Sequence, residues 1–286
     1  MSILVIGGTG QVGSEVVKRL LARGESVRVP TRSQANLGGL PEGVDGVAGD
    51  LTDPATYGAI FDGAERMFLL NPLAVDELQQ GLAAVNEARR VGMRHVVYQS
   101  IHDVETGPHV PHFASKIAVE YALRESGLPW TFLRPNNFHQ NDLSLRQAIV
   151  DHGVYPQPLG SIGLSRVDVR DIADAAVAAL AGGWEGRSVD LVGPDVLTGP
   201  DCAAIWSEML GREVRYAGDD LDAWAGQMRQ LGMPEWLVYD LVVMYRLFQE
   251  EGLAASEEQL DATREILGRE PISFRDFVRE TAASWS

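Results

Sequence analysis

Seven residues near the start of the chain have the types and spacing that bind a diphosphate. They are Gly7, Gly8, Thr9, Gly10, Gln11, Val12 and Gly13. Glycines at these intervals permit a tight turn, let the backbone approach a pyrophosphate, and allow a helix to pack closely on a strand. N–H groups at the start of that helix then bind phosphate oxygens. The segment predicts a dinucleotide site, and the alternative is a glycine turn without a ligand.

The residues on either side supply the strand and the helix that such a site requires. The apolar run 3–6 comes directly before the glycines and is typical of a buried strand. Apolar residues then recur at helical spacing from Val12 to Leu21, which predicts a helix that begins at the glycines. The motif therefore lies in the strand–turn–helix context in which it is specific.

The end of the second predicted strand indicates which dinucleotide binds. A site selective for NAD has an acidic residue there, which accepts hydrogen bonds from the ribose. This chain has Thr31, Arg32 and Ser33 instead. A guanidinium pairs with a 2′-phosphate through two parallel hydrogen bonds, and the Ser33 hydroxyl adds a third group. We therefore predict that NADP(H) is preferred over NAD(H); the alternative for Arg32 is a solvated loop arginine.

Two more predicted strands end in residues that suit a nucleotide pocket. They are Asp50 and Leu51 after the third strand, and Leu70, Asn71 and Pro72 after the fourth. Proline fixes its own dihedral angle and restricts the residue before it, so the second segment is expected to be rigid and to line the cofactor with its backbone. The alternative for Asp50 is a cap on the helix that begins near Asp53.

Composition and charge exclude several classes of function. The 286 residues carry a formal net charge of −16, and this acidity argues against a nucleic-acid partner or an anionic membrane surface. Cys202 is the only cysteine, which rules out an intramolecular disulfide and fits a reducing cytoplasm. We find neither a targeting segment nor an apolar run of membrane-spanning length, so we expect a cytoplasmic protein.

The order of the predicted elements indicates the fold class. Strands and helices alternate up to about residue 135, which predicts an α/β fold with a doubly wound parallel Rossmann sheet. We assign residues 1–135 and 166–192 to an NADP-binding Rossmann domain. Residues 136–165 and 193–286 form a smaller, mostly helical C-terminal lobe for a substrate or a partner. Its predicted helices span about 199–210, 220–231, 235–251 and 257–267, and a fifth starts near 273.

Several segments spread along the chain resemble the NmrA-like atypical short-chain dehydrogenase/reductases. Besides the glycine motif, they are residues 31–32, 49–51, 112–116, 126–131, 134–135, 167–173 and 210–212. The resemblance implies NADPH-dependent quinone or azo reductases, or regulators that bind the cofactor without established turnover. It also implies that the Asp50 side chain and the Leu51 amide contact adenine.

One departure from that superfamily concerns the chemistry directly. Ordinary members carry Tyr-x-x-x-Lys on one helical face; this chain retains the lysine as Lys116 and has His112 at the tyrosine position. The resemblance implies that Lys116 binds the nicotinamide ribose. A histidine is a suitable general acid near neutral pH, and Ser100 offers a hydroxyl to the substrate. The alternatives are a helix start for His112, an ion pair with Glu120 for Lys116, and a turn for Ser100.

Residues after the sixth predicted strand are candidates for the substrate site. They are Asn136, Asn137 and Phe138, joined by Tyr155 further along. Aromatic rings stack on flat molecules, although each ring has packing in a core as its alternative. The histidines at 102, 109, 139 and 152 match no metal-binding spacing, so we predict no metal site.

These observations lead to a ranked set of functions. The first is an NADPH-dependent oxidoreductase that transfers hydride to a small, flat electrophile such as a quinone, an azo compound or an enone. The second is a non-catalytic NADP(H)-sensing regulator that binds a protein partner. An epimerase with tightly bound NAD is a third option, against which Arg32 argues.

Overall fold

The computed structural model describes residues 2–285, which contain nine strands and ten α-helices. The strands are β1 (Ser2–Ile6), β2 (Val27–Thr31), β3 (Val44–Ala48), β4 (Ala64–Leu69), β5 (His95–Gln99), β6 (Trp130–Pro135), β7 (Val154–Tyr155), β8 (Arg187–Leu191) and β9 (Arg215–Tyr216). The helices are α1 (Gln11–Ala22), α2 (Tyr57–Phe61), α3 (Glu77–Val91), α4 (Pro111–Glu125), α5 (Val169–Leu180), α6 (Gly199–Leu210), α7 (Leu221–Gln230), α8 (Glu235–Glu250), α9 (Glu257–Leu267) and α10 (Phe274–Trp285).

Seven of the strands form one sheet in the order β3-β2-β1-β4-β5-β6-β8. Every neighbouring pair from β3 across to β6 is parallel. The order reverses between β1 and β4, and in such sheets a ligand binds beyond the carboxyl ends of the strands at that reversal. The predicted α/β Rossmann fold is therefore confirmed, and its reversal point lies at the end of β1, where the glycine motif begins.

Helix α1 forms because one of its faces is apolar. Its buried residues recur at helical spacing and are Val12, Gly13, Val16, Val17 and Leu20. Each large apolar side chain that leaves water contributes about 1.5–3 kcal/mol. At the edge of this face lies Arg19, which is half-buried and forms an ion pair with Asp174 of α5. The helix is thereby held against both the sheet and α5, with its first turn at the glycines.

An apolar cluster packs one face of the sheet. It is built from β1, β4, β5 and β6 with α2, α3 and α4, and includes Leu4, Met67, Val96, Val119 and Phe132. All five of these side chains are almost fully buried. The cluster fixes α3 and α4 on the sheet and so determines where their first turns lie.

The chain divides into two compact units. The first comprises residues up to Val104, His112–Arg134 and Val169–Val189; the second comprises Glu105–Pro111, Pro135–Asp168 and the chain from Asp190 onward. The predicted Rossmann domain includes residues 105–111, 166–168 and 190–192, which group with the second unit. Within residues 2–285, no helix is both long and apolar enough to cross a lipid bilayer.

The second unit contains the five helices α6 to α10 and a two-stranded sheet. The predicted helices agree with the observed ones to within about two residues at each end, the usual uncertainty of helix boundaries. The two-stranded sheet, in contrast, was not predicted: β7 and β9 pair in parallel, Val154 with Arg215 and Tyr155 with Tyr216. Strands of two residues are too short to show periodicity, so the sequence does not indicate them.

Candidate functional site

The turn between β1 and α1 is a tight cradle of main-chain atoms. Gly7 has a φ of +79°, which disfavours other residues, and a methyl group on it would lie 2.6 Å from the Leu70 carbonyl oxygen. A methyl group on Gly13 would lie only 2.1 Å from the Gly7 carbonyl oxygen. The Gly10 N–H donates to that same oxygen at 2.9 Å. The turn therefore accepts no side chain at either glycine, as close approach to a diphosphate requires.

The start of α1 is open to a ligand. Thr9, Gly10 and Gln11 are exposed, whereas Gly8 and Val12 are buried. Gly10 is the N-cap in an extended conformation, and the first turn of α1 contains no acidic residue. The positive end of the helix dipole is therefore not neutralised by a neighbouring carboxylate. Together, the cradle and this helix end fit the diphosphate of a dinucleotide.

The residues at the end of β2 are the ones predicted to select the dinucleotide. Thr31 is buried and its hydroxyl donates to the Ser33 carbonyl oxygen at 2.9 Å, while Arg32 and Ser33 are exposed. The Ser33 side chain accepts the Ala35 N–H at 3.2 Å and so caps the short helix at Gln34–Gly39. Ser33 is thus occupied by a local structural bond that the sequence analysis did not anticipate.

Asp50 lies beyond the end of β3 in a turn of its own. Its Oδ1 accepts hydrogen bonds from the N–H and the hydroxyl of Thr52, both at 2.8 Å. The Thr52 N–H and hydroxyl lower the pKa of this carboxyl, and the charge of Arg32 lowers it further. Asp53 caps the following short helix through the Ala55 N–H, so the alternative that Asp50 is the cap is wrong. Leu51 is buried.

The segment after β4 directs one amide side chain inward. Leu70 is half-buried and Pro72 is exposed, but Asn71 is only 3% exposed. The Asn71 side chain lies beside Gly81 of α3, where a methyl group would come within 3.2 Å of its Oδ1. Neither polar atom of this amide has a hydrogen-bond partner among residues 2–285. This segment therefore places an unsatisfied buried amide directly after β4, in the stretch whose backbone is predicted to line the cofactor.

The carboxyl end of β5 carries further polar atoms without partners. Over the described residues, no hydrogen bond forms to the Tyr98 hydroxyl, the Gln99 side-chain oxygen or the Ser100 hydroxyl, although all three residues are buried. The Ser100 N–H continues the sheet by donating to the Leu133 carbonyl oxygen at 2.8 Å. Because an unsatisfied buried polar group costs about 1–3 kcal/mol, a cluster of them is unusual outside functional sites.

Helix α4 presents His112 and Lys116 one turn apart on a buried face. The His112 ring packs edge-on against Phe113, with centroids 4.8 Å apart. The Lys116 Nζ donates to an oxygen of Glu77 at 2.9 Å and lies 5.9 Å from the centre of the Tyr98 ring. Both partners of the ion pair are more than nine-tenths buried.

The partner of Lys116 is not the one that helical spacing indicates. Glu120 accepts hydrogen bonds from Arg134 at 2.6 and 2.9 Å and from Arg124 at 2.9 Å. The alternative of a Lys116–Glu120 pair is therefore wrong. Glu77 was missed because it is 39 residues from Lys116 and belongs to no motif. Its position in the first turn of α3 was the only available signal.

The candidate substrate residues of the second unit are largely engaged in internal bonds. The Asn136 amide donates to the Leu253 carbonyl oxygen at 2.8 Å. The Asn137 side-chain oxygen accepts from Arg166 Nε at 3.0 Å, and the Phe138 carbonyl oxygen accepts from the same guanidinium at 2.7 Å. Asn137 and the Phe138 ring remain half-buried, whereas Asn136 is buried. The side chains of Asn136 and Asn137 therefore hold the local structure in place.

Tyr155, which is predicted for the substrate site, lies in the interior of the second unit. It is fully buried, and its hydroxyl donates to Asp142 at 3.2 Å and accepts from Arg166 at 3.1 Å. Burial raises the pKa of this phenol well above its usual value. The hydroxyl and the ring are both enclosed, so no face is available to stack on a flat molecule.

Comparison with known proteins places the chain in a family. The model of the NmrA-like family matches residues 1–277. The chain is 35% identical to an NAD(P)H azoreductase from Xenophilus azovorans and 34% identical to a (4-alkanoyl-5-oxo-2,5-dihydrofuran-3-yl)methyl phosphate reductase from Streptomyces griseus subsp. griseus, and each alignment covers 99% of both chains. The fold is similar to that of an NADPH-dependent quinone oxidoreductase from Escherichia coli in complex with NADPH, with a TM-score of 0.87 at 23% identity over 98% of this chain and 99% of the other. The chain belongs to the NmrA-like family, as its sequence segments indicated.

Proposed function

We propose that this protein is an NADPH-dependent oxidoreductase that transfers hydride to a small, flat electrophile such as a quinone, an azo compound or an enone. The observation that carries the proposal is the glycine cradle at the reversal point of the sheet, in a chain that is 35% identical to an NAD(P)H azoreductase along 99% of its length. Bound NADPH would supply the hydride, and the protein would supply binding and orientation.

The residues that would hold the cofactor lie at the carboxyl ends of neighbouring strands. The main chain of the cradle and the first turn of α1 would bind the diphosphate. Asp50 and Leu51 would contact the adenine, and the backbone at Leu70 would line the pocket. The Lys116 ammonium has three N–H bonds and one partner, Glu77, among the described residues, which leaves donors for ribose hydroxyls.

Arg32 would select NADP(H) over NAD(H). It is exposed, and its charge is close enough to lower the pKa of Asp50, which supports a role for it at the expected adenosine site. We expect Arg32→Ala to lower the ratio of NADPH affinity to NADH affinity by about tenfold to a hundredfold, because hydrogen bonds to charged groups contribute about 1.5–3 kcal/mol. Titrating both cofactors into both proteins measures that ratio, and a ratio that stays unchanged contradicts the assignment.

A flat electrophile suits the polar groups around the proposed hydride acceptor. His112 takes the place of the usual tyrosine, and the Ser100 hydroxyl, which has no partner in the part of the chain that the structure describes, lies at the end of β5. Quinones and azo groups are already electrophilic and need little acid catalysis, so the loss of a tyrosine is compatible with their reduction. His112 would donate a proton where the acceptor needs one, and Ser100 would hydrogen-bond the acceptor.

The proposal is tested by following NADPH oxidation with a panel of quinones, azo dyes and enones. We expect turnover with at least one class and a large loss in Lys116→Met. His112→Ala shows whether His112 is the acid: a loss confined to acceptors that need a proton supports the role. Tight NADPH binding without oxidation across the panel would contradict the reductase and favour the NADP(H)-sensing regulator, whose protein partner would then be sought.

The remaining expectations concern the surroundings of the protein. We propose a small-molecule partner and a cytoplasmic location, without a nucleic-acid or membrane partner. The net charge of −16 supports the first exclusion. The only cysteine, Cys202, is buried, and burial raises its pKa to about 11, so this thiol suits a reducing compartment without being reactive.

A further inference from the structure

The ion pair between Lys116 and Glu77 links two parts of the proposed cofactor site. Glu77 is the first residue of α3, directly after the 70–76 segment that leaves β4. Lys116 is on α4, beside the next-to-last residue of β5. The 2.9 Å bond therefore joins the backbone expected to line the cofactor to the side chain expected to bind its ribose.

The carboxylate of Glu77 is arranged specifically for this lysine. Its place in the first turn of α3 lets the helix dipole stabilise its charge. Glu120 lies in the same neighbourhood, since both carboxylates raise the pKa of the Tyr98 phenol, yet Glu120 directs its two oxygens to Arg134 and Arg124. Lys116 is thus left with Glu77 as its ion-pair partner within residues 2–285.

The surroundings of Lys116 differ from those of a purely structural ion pair. The Tyr98 ring, whose centre lies 5.9 Å from the Lys116 Nζ, carries a buried hydroxyl that has no partner among the described residues. A pair retained for stability alone is expected to have its neighbouring donors and acceptors satisfied. Here a single bond holds the ammonium, and the hydroxyl of the neighbouring Tyr98 has no partner within residues 2–285, which suits a side chain held ready for a ligand.

We propose that Glu77 is a positioning residue that holds Lys116 in place for the cofactor ribose, an inference that rests on the proposed function. Glu77 itself touches no reacting atom. It withdraws one N–H of the ammonium, fixes the direction of the other two, and prevents Lys116 from turning toward Glu120. Misplacement of a binding group by about 1 Å costs about a hundredfold in rate, so the effect of losing Glu77 is measurable.

The test compares Glu77→Gln, Glu77→Asp and Lys116→Met with the wild-type protein. The readouts are the NADPH dissociation constant, kcat and KM separately, and the melting temperature. We expect Glu77→Gln to weaken NADPH binding about tenfold to a hundredfold at temperatures where it is fully folded. Glu77→Asp keeps the charge one methylene further away and is expected to fall between Glu77→Gln and wild type.

A double variant shows whether Glu77 acts through the lysine. In Lys116→Met there is no ammonium for Glu77 to position, so Glu77→Gln/Lys116→Met is expected to bind NADPH as weakly as Lys116→Met alone. Additive losses would overturn the proposal. Glu120→Gln is the matched control, because Glu120 is a buried carboxylate on α4, the helix that carries Lys116. This variant is expected to lower the melting temperature and to leave the NADPH affinity unchanged.

The possible failures are distinguishable. If wild-type protein does not bind NADPH, the proposed function is wrong and this inference falls with it. If wild-type protein binds NADPH and Glu77→Gln binds it equally well, the inference alone is wrong and the ion pair is structural. If Glu77→Gln does not fold, Glu77→Asp carries the test, because its retained charge preserves the fold; equal affinity in that variant also overturns the proposal.

Discussion

The two units each bury an ion pair, and the two pairs are built differently. In the second unit, the guanidinium of Arg166 donates to Asp142, to Tyr155, to Asn137 and to the Phe138 carbonyl oxygen at 2.7–3.1 Å. Asp142 also accepts from Gln157 at 2.8 Å and from Trp206 at 2.9 Å. In the first unit, Lys116 has Glu77 as its one hydrogen-bond partner over the described residues, beside the unpartnered hydroxyl of Tyr98.

This difference separates a group that builds the fold from a group that awaits a ligand. Removing charges from water costs several kcal/mol per ion, and only a complete set of partners compensates for it. Arg166 has that set, so its network specifies the arrangement of β7, α6 and the helical turn at 139–145. Among the described residues, Lys116 and the neighbouring Tyr98 hydroxyl lack a complete set of partners. Unsatisfied buried polar groups lower the stability of the fold, and proteins retain such groups mainly at functional sites.

The largest effect on stability is expected from breaking the Arg166–Asp142 ion pair. Asp142→Asn leaves the fully buried Arg166 without its counter-charge, and we expect the free energy of unfolding to fall by about 3–5 kcal/mol. Denaturant unfolding measures the change. Asp261→Asn is the matched control, because Asp261 pairs with Arg264 on the exposed surface of α9 and the expected loss is at most about 1 kcal/mol. Equal losses in the two variants would contradict the distinction.

A smaller effect is expected from removing one hydroxyl in each unit. Tyr155→Phe deletes a group that both donates and accepts, and we expect a loss of about 1–3 kcal/mol. Tyr98→Phe deletes a buried hydroxyl that has no partner within residues 2–285, and we expect stability within about 0.5 kcal/mol of wild type or above it. Thermal and denaturant unfolding of the two variants test this. A loss in Tyr98→Phe as large as that in Tyr155→Phe would show that the hydroxyl is satisfied.

The smallest effect is expected from acid, through one buried histidine in each unit. Burial lowers the pKa of His95 and of His139 below the usual value of about 6.5. The unfolded chain therefore binds protons that the folded rings do not. The contribution of these two histidines to the free energy of unfolding is therefore fully present above about pH 6.5 and is lost as the pH falls below that value.

Variants of the two histidines sharpen this comparison. His139 Nε2 lies 3.0 Å from the Arg166 carbonyl oxygen, and His95 Nε2 lies 2.9 Å from the Thr131 hydroxyl. Glutamine at either position keeps a donor and does not titrate. We expect each substitution to flatten the decline in melting temperature between about pH 6.5 and about pH 5. A decline that keeps its slope in both variants would assign the acid sensitivity to other groups.

Apart from β7 and β9, the main elements were predictable because they are encoded locally. Apolar periodicity marks α1 over Gln11–Ala22, and capping residues mark α6 and α9, whose N-caps Thr198 and Ser256 form full capping boxes. Each feature depends on residues within one or two turns. The alternation of strands and helices then leaves a parallel sheet as the arrangement that pairs every strand.

The site was only partly predictable because its partners are far apart in sequence. The cradle is a continuous segment, so Gly7 to Gly13 were identified directly. The partner of Lys116 is 39 residues away, and helical spacing indicated Glu120, which two arginines already occupy. Tyr155 has an aromatic ring of the kind that stacks on flat ligands, and only its bonds to Asp142 and Arg166 show that it lies in the interior.

The sequence by itself determined the glycine cradle, the order of strands and helices, the Rossmann fold and the family. Only the tertiary structure decided which carboxylate holds Lys116, which tyrosine hydroxyl is satisfied, and that β7 pairs with β9. The physical reason is the range of the interactions. Backbone conformation and periodicity are set by neighbouring residues, whereas a buried charge takes whichever partner the packing of distant elements brings within about 3 Å.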